Sequence, residues 1–338
     1  MMYDLLIKRV TYFLIPILLL IGFTLNLTLG EVNVPSNCLI HCSQVKYRVI
    51  IMDIRLPSAL TSILVGYVLG VSGAVMQGIL RNPLAEPFTT GVASAAVLGG
   101  LLGYLLVLIG KLTGSLAASA IPLLALVIGL FSSLIVVMLG SRLGIVGLIL
   151  MGILITLLSY AASMIIMLII ESINPTISMQ PLYLLYGNLS GILWWQFYVM
   201  LITAVPTILM VTYSSRYVDL LMLGDDVAKA SGVNPVAVRR RLVALISIPL
   251  ATSLAFTGVI GFIGIIAPYT VRQLTGRGSG SIIIPGSGLV GSLILTYSYL
   301  ASRIMIKGYI VPITAVTGLV GIPVLMWMIL KGGFGAST

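Results

Sequence analysis

Residues 242–271 read LVALISIPLATSLAFTGVIGFIGIIAPYTV, 30 residues without one charged side chain. About 20 apolar residues in an α-helix cross the hydrocarbon layer of a bilayer. This stretch is too long for one pass and too short for two full ones. Gly258, Gly261, Gly264 and Pro268 interrupt it; glycine weakens a helix through backbone entropy and proline through its missing N–H. The residues fit a full helix followed by a short return helix, or alternatively one tilted helix. The choice sets the parity of the whole chain.

Further charge-free windows extend on both sides, at 11–29, 58–80, 92–110, 120–140, 146–170, 193–213, 282–302 and 309–330, with 242–262 as the first part of the stretch above. Hydrophobic residues make up 59% of the 338 and charged residues 8%, and mean hydropathy is +1.19. A soluble domain carries about 25% charge, so a water-facing globule is excluded. The chain reads as an all-α membrane protein, one transmembrane domain over 1–338 with about ten helices. The run Val10–Leu29 is long enough to span and has no small-residue cleavage site, so it is expected to remain as the first helix. Gly66, Gly70 and Gly73 dot the second window, a spacing that lets helices approach closely in lipid.

The formal charge of +10 raises the question of nucleic acid. The basic residues are scattered between apolar windows and form no continuous face apart from Arg239-Arg240-Arg241, so no nucleic-acid partner is expected. They flank spans instead and set orientation. With the N-terminus in the cytoplasm, ten passes put 12 of the 18 basic residues inside and nine put 11 of the 18 there. Charge alone leaves the parity open. The longest polar connection after the first loop, 213–241, holds Arg216, Asp219, Asp225, Asp226, Lys229 and the arginine triplet. Gly224-Asp225 precedes a helical stretch, Gly232 closes it and Asn234-Pro235 opens another. Two short cytoplasmic helices are predicted there, with a plain solvated loop as the alternative.

No Asp, Glu, Lys, Arg or His falls inside any of these windows. Ion-coupled carriers and intramembrane enzymes rely on such groups at membrane depth, and both classes lose weight. No phosphate-cradling GxxxxGK[ST] loop is present, the nearest string being Gly110-Lys111-Leu112-Thr113. No cofactor is expected in this chain; if ATP and Mg power it, a partner chain holds them. Cys38-Leu-Ile-His41-Cys42 admits a disulfide closing a tight loop, two free thiols, or a small soft-metal site. A disulfide between Cys38 and Cys42 is the expectation carried forward, with no resident metal.

An internal repeat is visible. Ser72-Gly73-Ala74-Val75 leads to Pro83, and Thr257-Gly258-Val259-Ile260 leads to Pro268 at the same interval. The two copies sit an odd number of passes apart and would run in opposite directions, the inverted arrangement common in transporters. Proline also ends the second window. Asn82-Pro83-Leu84 follows Arg81 at the cytoplasmic edge, which leaves Asn82 and Leu84 on irregular backbone tolerated only beside protein or a water-filled cavity.

Several strings together resemble the permease family that imports ferric siderophores, haem and cobalamin through ABC transporters. They are Arg55-Leu-Pro-Ser58; Gly66 with Ser72-Gly73-Ala74-Val75-Met76-Gln77; Arg81-Asn-Pro-Leu-Ala-Glu-Pro87; Gly91-Val-Ala-Ser94; Leu223-Gly-Asp-Asp-Val-Ala228 with Ser231-Gly232-Val233; Thr257-Gly-Val-Ile-Gly-Phe-Ile-Gly264 with Pro268 and Arg272; and Pro312 with Gly321-Ile-Pro323. They keep family order from about residue 50 to 330. The chain departs from the family pattern at Ser58, Tyr269 and Tyr299.

The resemblance implies ten helices per subunit, the short return helix, a cytoplasmic N-terminus and a homodimer around a central path in the cell (plasma or inner) membrane. It implies two ATP-binding subunits inside, a substrate-binding protein outside and lipid around. A secondary transporter or channel not coupled to ATP is the alternative. Gly224, Asp225, Asp226, Ala228 and Gly232 would then couple the permease to the ATPase. Asn82, Pro83 and Leu84 would form a cytoplasmic gate, with both side chains facing the dimer axis. Arg55 and Arg303 would present positive charge to the binding protein, with Lys46, Arg48 and Lys307 nearby. Met151, Thr156, Ser159 and Ser163 of the fifth window are candidate pathway lining.

Overall fold

The computed structural model describes residues 2–30, 32, 34–35, 44–86, 90–112, 115–175, 184–276 and 278–330. Cys38, His41 and Cys42, which carry the disulfide and metal alternatives, lie outside the described residues. Among the described residues the architecture is all-helical, without a strand. The principal helices are α1 (Met2–Thr28), α2 (Val45–Val49), α3 (Leu56–Leu80), α4 (Val92–Leu108), α5 (Ser115–Ile135), α6 (Gly144–Ile173), α7 (Trp194–Tyr213), α8 (Ser215–Leu223), α9 (Asp225–Ala230), α10 (Pro235–Thr257), α11 (Ile263–Thr275), α12 (Gly280–Ile304) and α13 (Ile313–Leu330). Six stretches are long and apolar enough to cross a membrane: Val45–Leu80, Ser119–Gly140, Gly144–Ile173, Trp194–Tyr213, Pro235–Thr257 and Gly280–Ile304. Leu14–Thr28, Val92–Leu108 and Ile313–Trp327 are shorter apolar helices.

The 242–271 stretch is broken at Gly258–Phe262, between α10 and α11. Pro268 does not cause the break; it sits inside α11. Proline removes the donor that would reach the carbonyl four residues back, here that of Gly264. The side-chain amide of Gln77 on α3 donates to that carbonyl at 3.4 Å, so a neighbouring helix replaces the lost bond.

The middle of α3 is the post around which the bundle is assembled. The span through α3 is 83% buried, against 22% for α6. One stripe of small residues makes this possible. A Cβ on Gly66 would lie 2.5 Å from the Gly291 carbonyl oxygen of α12. Gly70 meets Ser287 of α12, and Gly73 meets Gly264 of α11, with the same lack of room. Lipid offers no hydrophobic drive between helices, so backbone approach and interhelical hydrogen bonds hold them. Ser292 Oγ donates to the Ile63 carbonyl at 2.7 Å across the same seam.

Two expected boundaries are corrected. The second span starts at Val45 rather than 58, because α2 runs through a π-helical turn, Ile50–Arg55, into α3 without a break. Its first turns are charged, so hydropathy placed the start too late. The polar connection holds α8 and α9, but the helix opened by Asn234-Pro235 is not short. It continues to Thr257 as α10, and the Asn234 side chain caps it by accepting from the Val236 and Ala237 N–H groups at 3.1 and 3.2 Å.

Candidate functional site

The cytoplasmic candidates gather around α9. Gly232 closes it with φ 76°. The Val233 N–H donates to Ala228 O at 2.9 Å and the Gly232 N–H to Lys229 O at 2.9 Å, the paired bonds of a Schellman cap. Ala228 is fully buried. Asp226 is exposed and faces Lys229 at 3.7 Å, a surface pair worth little. Gly232→Val places a β-branched residue in a left-handed conformation, a strain of roughly 1–3 kcal/mol. The expected outcome is a displaced α9–α10 turn with the protein still folded and, if this segment couples the chain to an ATPase as the resemblance implies, loss of ATP-driven activity. Normal activity of the variant would remove Gly232 from the coupling role.

Asp225 is the hub. Arg239 Nη1 donates to its Oδ2 at 2.8 Å and Nη2 to its Oδ1 at 2.5 Å, a bidentate fork. Arg81 binds the same Oδ1. Arg239 is 1% exposed, and its Nε donates to the Ile79 carbonyl of α3 at 3.0 Å. Arg81 Nε donates to the Leu221 carbonyl of α8 at 2.7 Å. The fork from Arg239, then the two positive charges, hold the Asp225 carboxyl below the usual carboxylate range. The ends of α3 and α8 and the starts of α9 and α10 thus meet at one carboxylate.

Arg81 ends α3 in a left-handed conformation, φ 49°. The turn after it is built by Asn82, whose Oδ1 accepts from the Leu84 N–H at 2.9 Å while its carbonyl accepts from the Ala85 N–H at 3.0 Å. The Asn82 side chain is engaged in an Asx-type turn; Leu84 is 44% exposed. Glu86, further along the same loop, buries its Oε2. Burial pushes its carboxyl up to about 7, while a hydrogen bond from the Phe262 backbone at the α10–α11 break pulls the other way. Because the folded value lies above the ordinary 4.5, stability should fall as pH rises from 4.5 through about 7 and then level off, by at most roughly 3 kcal/mol. Melting curves of wild type and Glu86→Gln across that window check this; equal pH dependence would refute it.

At the opposite end of the chain's long helices, Arg55 and Arg303 are not presented outward. Both are buried, at 4% and 8% exposure. Arg55 Nη1 donates to Leu27 O at 2.8 Å and Thr28 O at 2.9 Å, and Nη2 bonds Val32 O. Arg303 donates to Asn26 O at 3.0 Å and Leu29 O at 2.9 Å, with its guanidinium 5.2 Å from the Tyr299 ring centroid. The expected outward presentation is a correction: both guanidiniums are turned in and bind carbonyls at the end of α1 and in the segment just after it. Both also border a cleft of about 190 Å³ shared with Ser190 and Tyr299. Lys46, Arg48 and Lys307 are the exposed cations nearby.

A larger half-open cavity of about 500 Å³ lies among α4, α6 and residues 184–186. From α6 it takes Tyr160, Ser163, Met164, Met167 and Leu168. Of the four lining candidates only Ser163 reaches it. Ser159 is buried, Met151 packs on the main core, and Thr156 donates to the Gly152 carbonyl at 2.9 Å. The small and polar face of α6 turns into the bundle, as helix contacts in lipid favour, and the cavity takes the adjoining face. Tyr160 and Tyr186 were missed for that reason. Arg81, Glu86 and Arg239 were missed as well. The arginine triplet was conspicuous, but only helix phase shows that Arg239 points in while Arg240 and Arg241 stay exposed.

A family model described as the FecCD transport family matches residues 18–331. The vitamin B12 import system permease protein BtuC of Vibrio cholerae is 32% identical over 152 residues, 45% of each chain. BtuC of Shigella flexneri is 32% identical over 154 residues, 46% of this chain and 47% of that protein. This chain thus spans about half the length of these curated relatives. A solved structure, provisionally described as a metal-chelate type ABC transporter in an inward-facing conformation, superposes with TM-score 0.83 at 26% identity, covering 96% of this chain and 99% of that one.

Proposed function

Because this chain belongs to the FecCD transport family, we propose that it is the permease subunit of an ATP-driven importer carrying a metal chelate into the cytoplasm. The carrying observation is the polar pair α8–α9, hung on the Asp225 network beside a bundle whose apolar windows hold no Asp, Glu, Lys, Arg or His. Such a pair is a docking element for a motor that lies in another chain. In this reading the chain makes ten passes with an inverted repeat and works as a homodimer in the inner membrane. Two ATP-binding subunits with Mg sit below it and a substrate-binding protein docks above it. The cargo is a ferric siderophore, haem or cobalamin.

The cavity supports a chelate over a bare ion. None of the described residues lining it is charged. A naked metal cation or oxyanion would lose its hydration there without a counter-charge, at a cost of several kcal/mol. A chelate carries its metal wrapped in organic surface. The exposed Lys46, Arg48 and Lys307 at this end would steer the approach of an acidic binding protein.

The test is uptake of radiolabelled ferric hydroxamate chelate, haem and cyanocobalamin into proteoliposomes holding permease, ATPase subunits and binding protein. Uptake of one of them that needs internal ATP supports the reading. Uptake driven by an ion gradient without the ATPase overturns it.

A further inference from the structure

The Arg81–Asp225 contact is poorly suited to be a stability device. Its side chains are 35% and 36% exposed, and ion pairs at that exposure contribute about 0–1 kcal/mol. The bidentate Asp225–Arg239 bond already satisfies the buried guanidinium. What Arg81 adds is connectivity. It is the last residue before the Asn82–Leu84 turn, and its guanidinium touches both coupling helices, α8 through the Leu221 carbonyl and α9 through Asp225. Its main chain belongs to the turn itself, with the Asn82 N–H still bonded to Gln77 O at 3.3 Å. On the far side the loop is tethered at Glu86, which accepts a hydrogen bond from the Phe262 backbone.

A segment held at both ends responds when one end is pulled. We propose that Arg81 is the positioning residue that carries displacement of α8–α9 to the Asn82–Leu84 turn, so that ATPase-driven movement below opens or narrows the path at Leu84. Asp225 serves as the joint: both its oxygens hold α9 to α10 through Arg239, and Oδ1, shared with Arg81, passes the motion on. Nothing in this arrangement needs Arg81 for folding, because α9 stays clamped to α10 and α3 through Arg239 when Arg81 is gone.

The inference rests on the permease reading above, and the experiment separates the two. In the complex with its ATPase subunits, after Cys38→Ser and Cys42→Ser, spin labels are placed at Leu84→Cys or at Val227→Cys, which is 43% exposed on α9. Distances between the two copies are compared without nucleotide and with ATP and Mg. In the otherwise wild-type complex both labels are expected to shift on adding ATP; if neither does, the permease reading itself fails. With Arg81→Gln the shift at 227 should persist and the shift at 84 should be lost, while Arg81→Lys, which keeps a cation for Asp225, should retain both. A normal shift at 84 in Arg81→Gln overturns the proposal. Loss of both shifts in Arg81→Gln also overturns it, by making Arg81 a docking residue rather than a transmitter.

Discussion

Asp225→Ala lowers the stability of the folded chain by roughly 3–5 kcal/mol, because it leaves a buried guanidinium without its counter-charge. The Arg239 side chain is 2% exposed, whereas that of Asp225 is 36% exposed. The two halves of this pair are therefore not equivalent. Arg239→Met leaves a carboxylate that still reaches water and still binds Arg81, and the long apolar side chain fills most of the vacated volume. Its cost should be smaller, about 1–3 kcal/mol, mostly the Asp225 and Ile79 hydrogen bonds. The double variant should cost less than the sum of the singles, since the buried charge that makes Asp225→Ala expensive is gone. Equilibrium unfolding in detergent by SDS titration, followed by far-UV circular dichroism, ranks the three. A ranking with Arg239→Met the worst, or strict additivity, would sink this account.

Arg55→Met with Arg303→Met releases the end of α1 from the bundle. The two guanidiniums cover the carbonyls of Asn26, Leu27 and Thr28, the last three residues of α1, and of Leu29 just after it; the end of a helix leaves such carbonyls without a backbone partner within it. They also place positive charge at the negative end of the helix dipole. Each charged hydrogen bond contributes about 1.5–3 kcal/mol, so each single variant should cost about 2–3 kcal/mol and the pair correspondingly more. Asn26, whose side-chain amide donates to the Thr296 carbonyl at 3.0 Å, still holds this end, and the Tyr297 hydroxyl donates to the Leu18 carbonyl further up α1 at 3.0 Å. A cysteine introduced at Leu27, which is 8% exposed, reports the release: a membrane-impermeant maleimide should label it at least about tenfold faster in the double variant, the ratio set by 1.4 kcal/mol of local opening. Unchanged labelling together with an unchanged unfolding midpoint would return these arginines to a surface role. Arg55→Glu with Arg303→Glu is worse still, since it sets carboxylates against carbonyl oxygens, so that variant does not isolate docking from folding.

Charge-free windows placed the bundle well because the cost of a charge in hydrocarbon is local to the residue that carries it. The same reasoning found the polar α9 segment, with Asp225 at its start and Gly232 at its end, since caps and turns depend on neighbours in sequence. It failed wherever a side chain's role is set by a distant partner. Arg55 and Arg303 looked like outward charges because each stands at a helix end; their partners, the carbonyls at the end of α1, are 27 to 277 residues away. On α6 Ser163 lines the large cavity while Ser159 is buried, because in lipid a small polar face is what another helix packs against.

The sequence by itself determined that this chain lives in a membrane, that the segment around α9 is polar and capped, and to which family it is similar. The tertiary structure alone decided which arginine of the triplet is buried, that Pro268 lies within α11 and leaves the break to Gly258–Phe262, and that Arg81 joins α8 and α9 to the turn after α3. Hydropathy is additive along a chain, whereas the direction of a guanidinium depends on helix phase and on carbonyls that only folding brings within 3 Å of it.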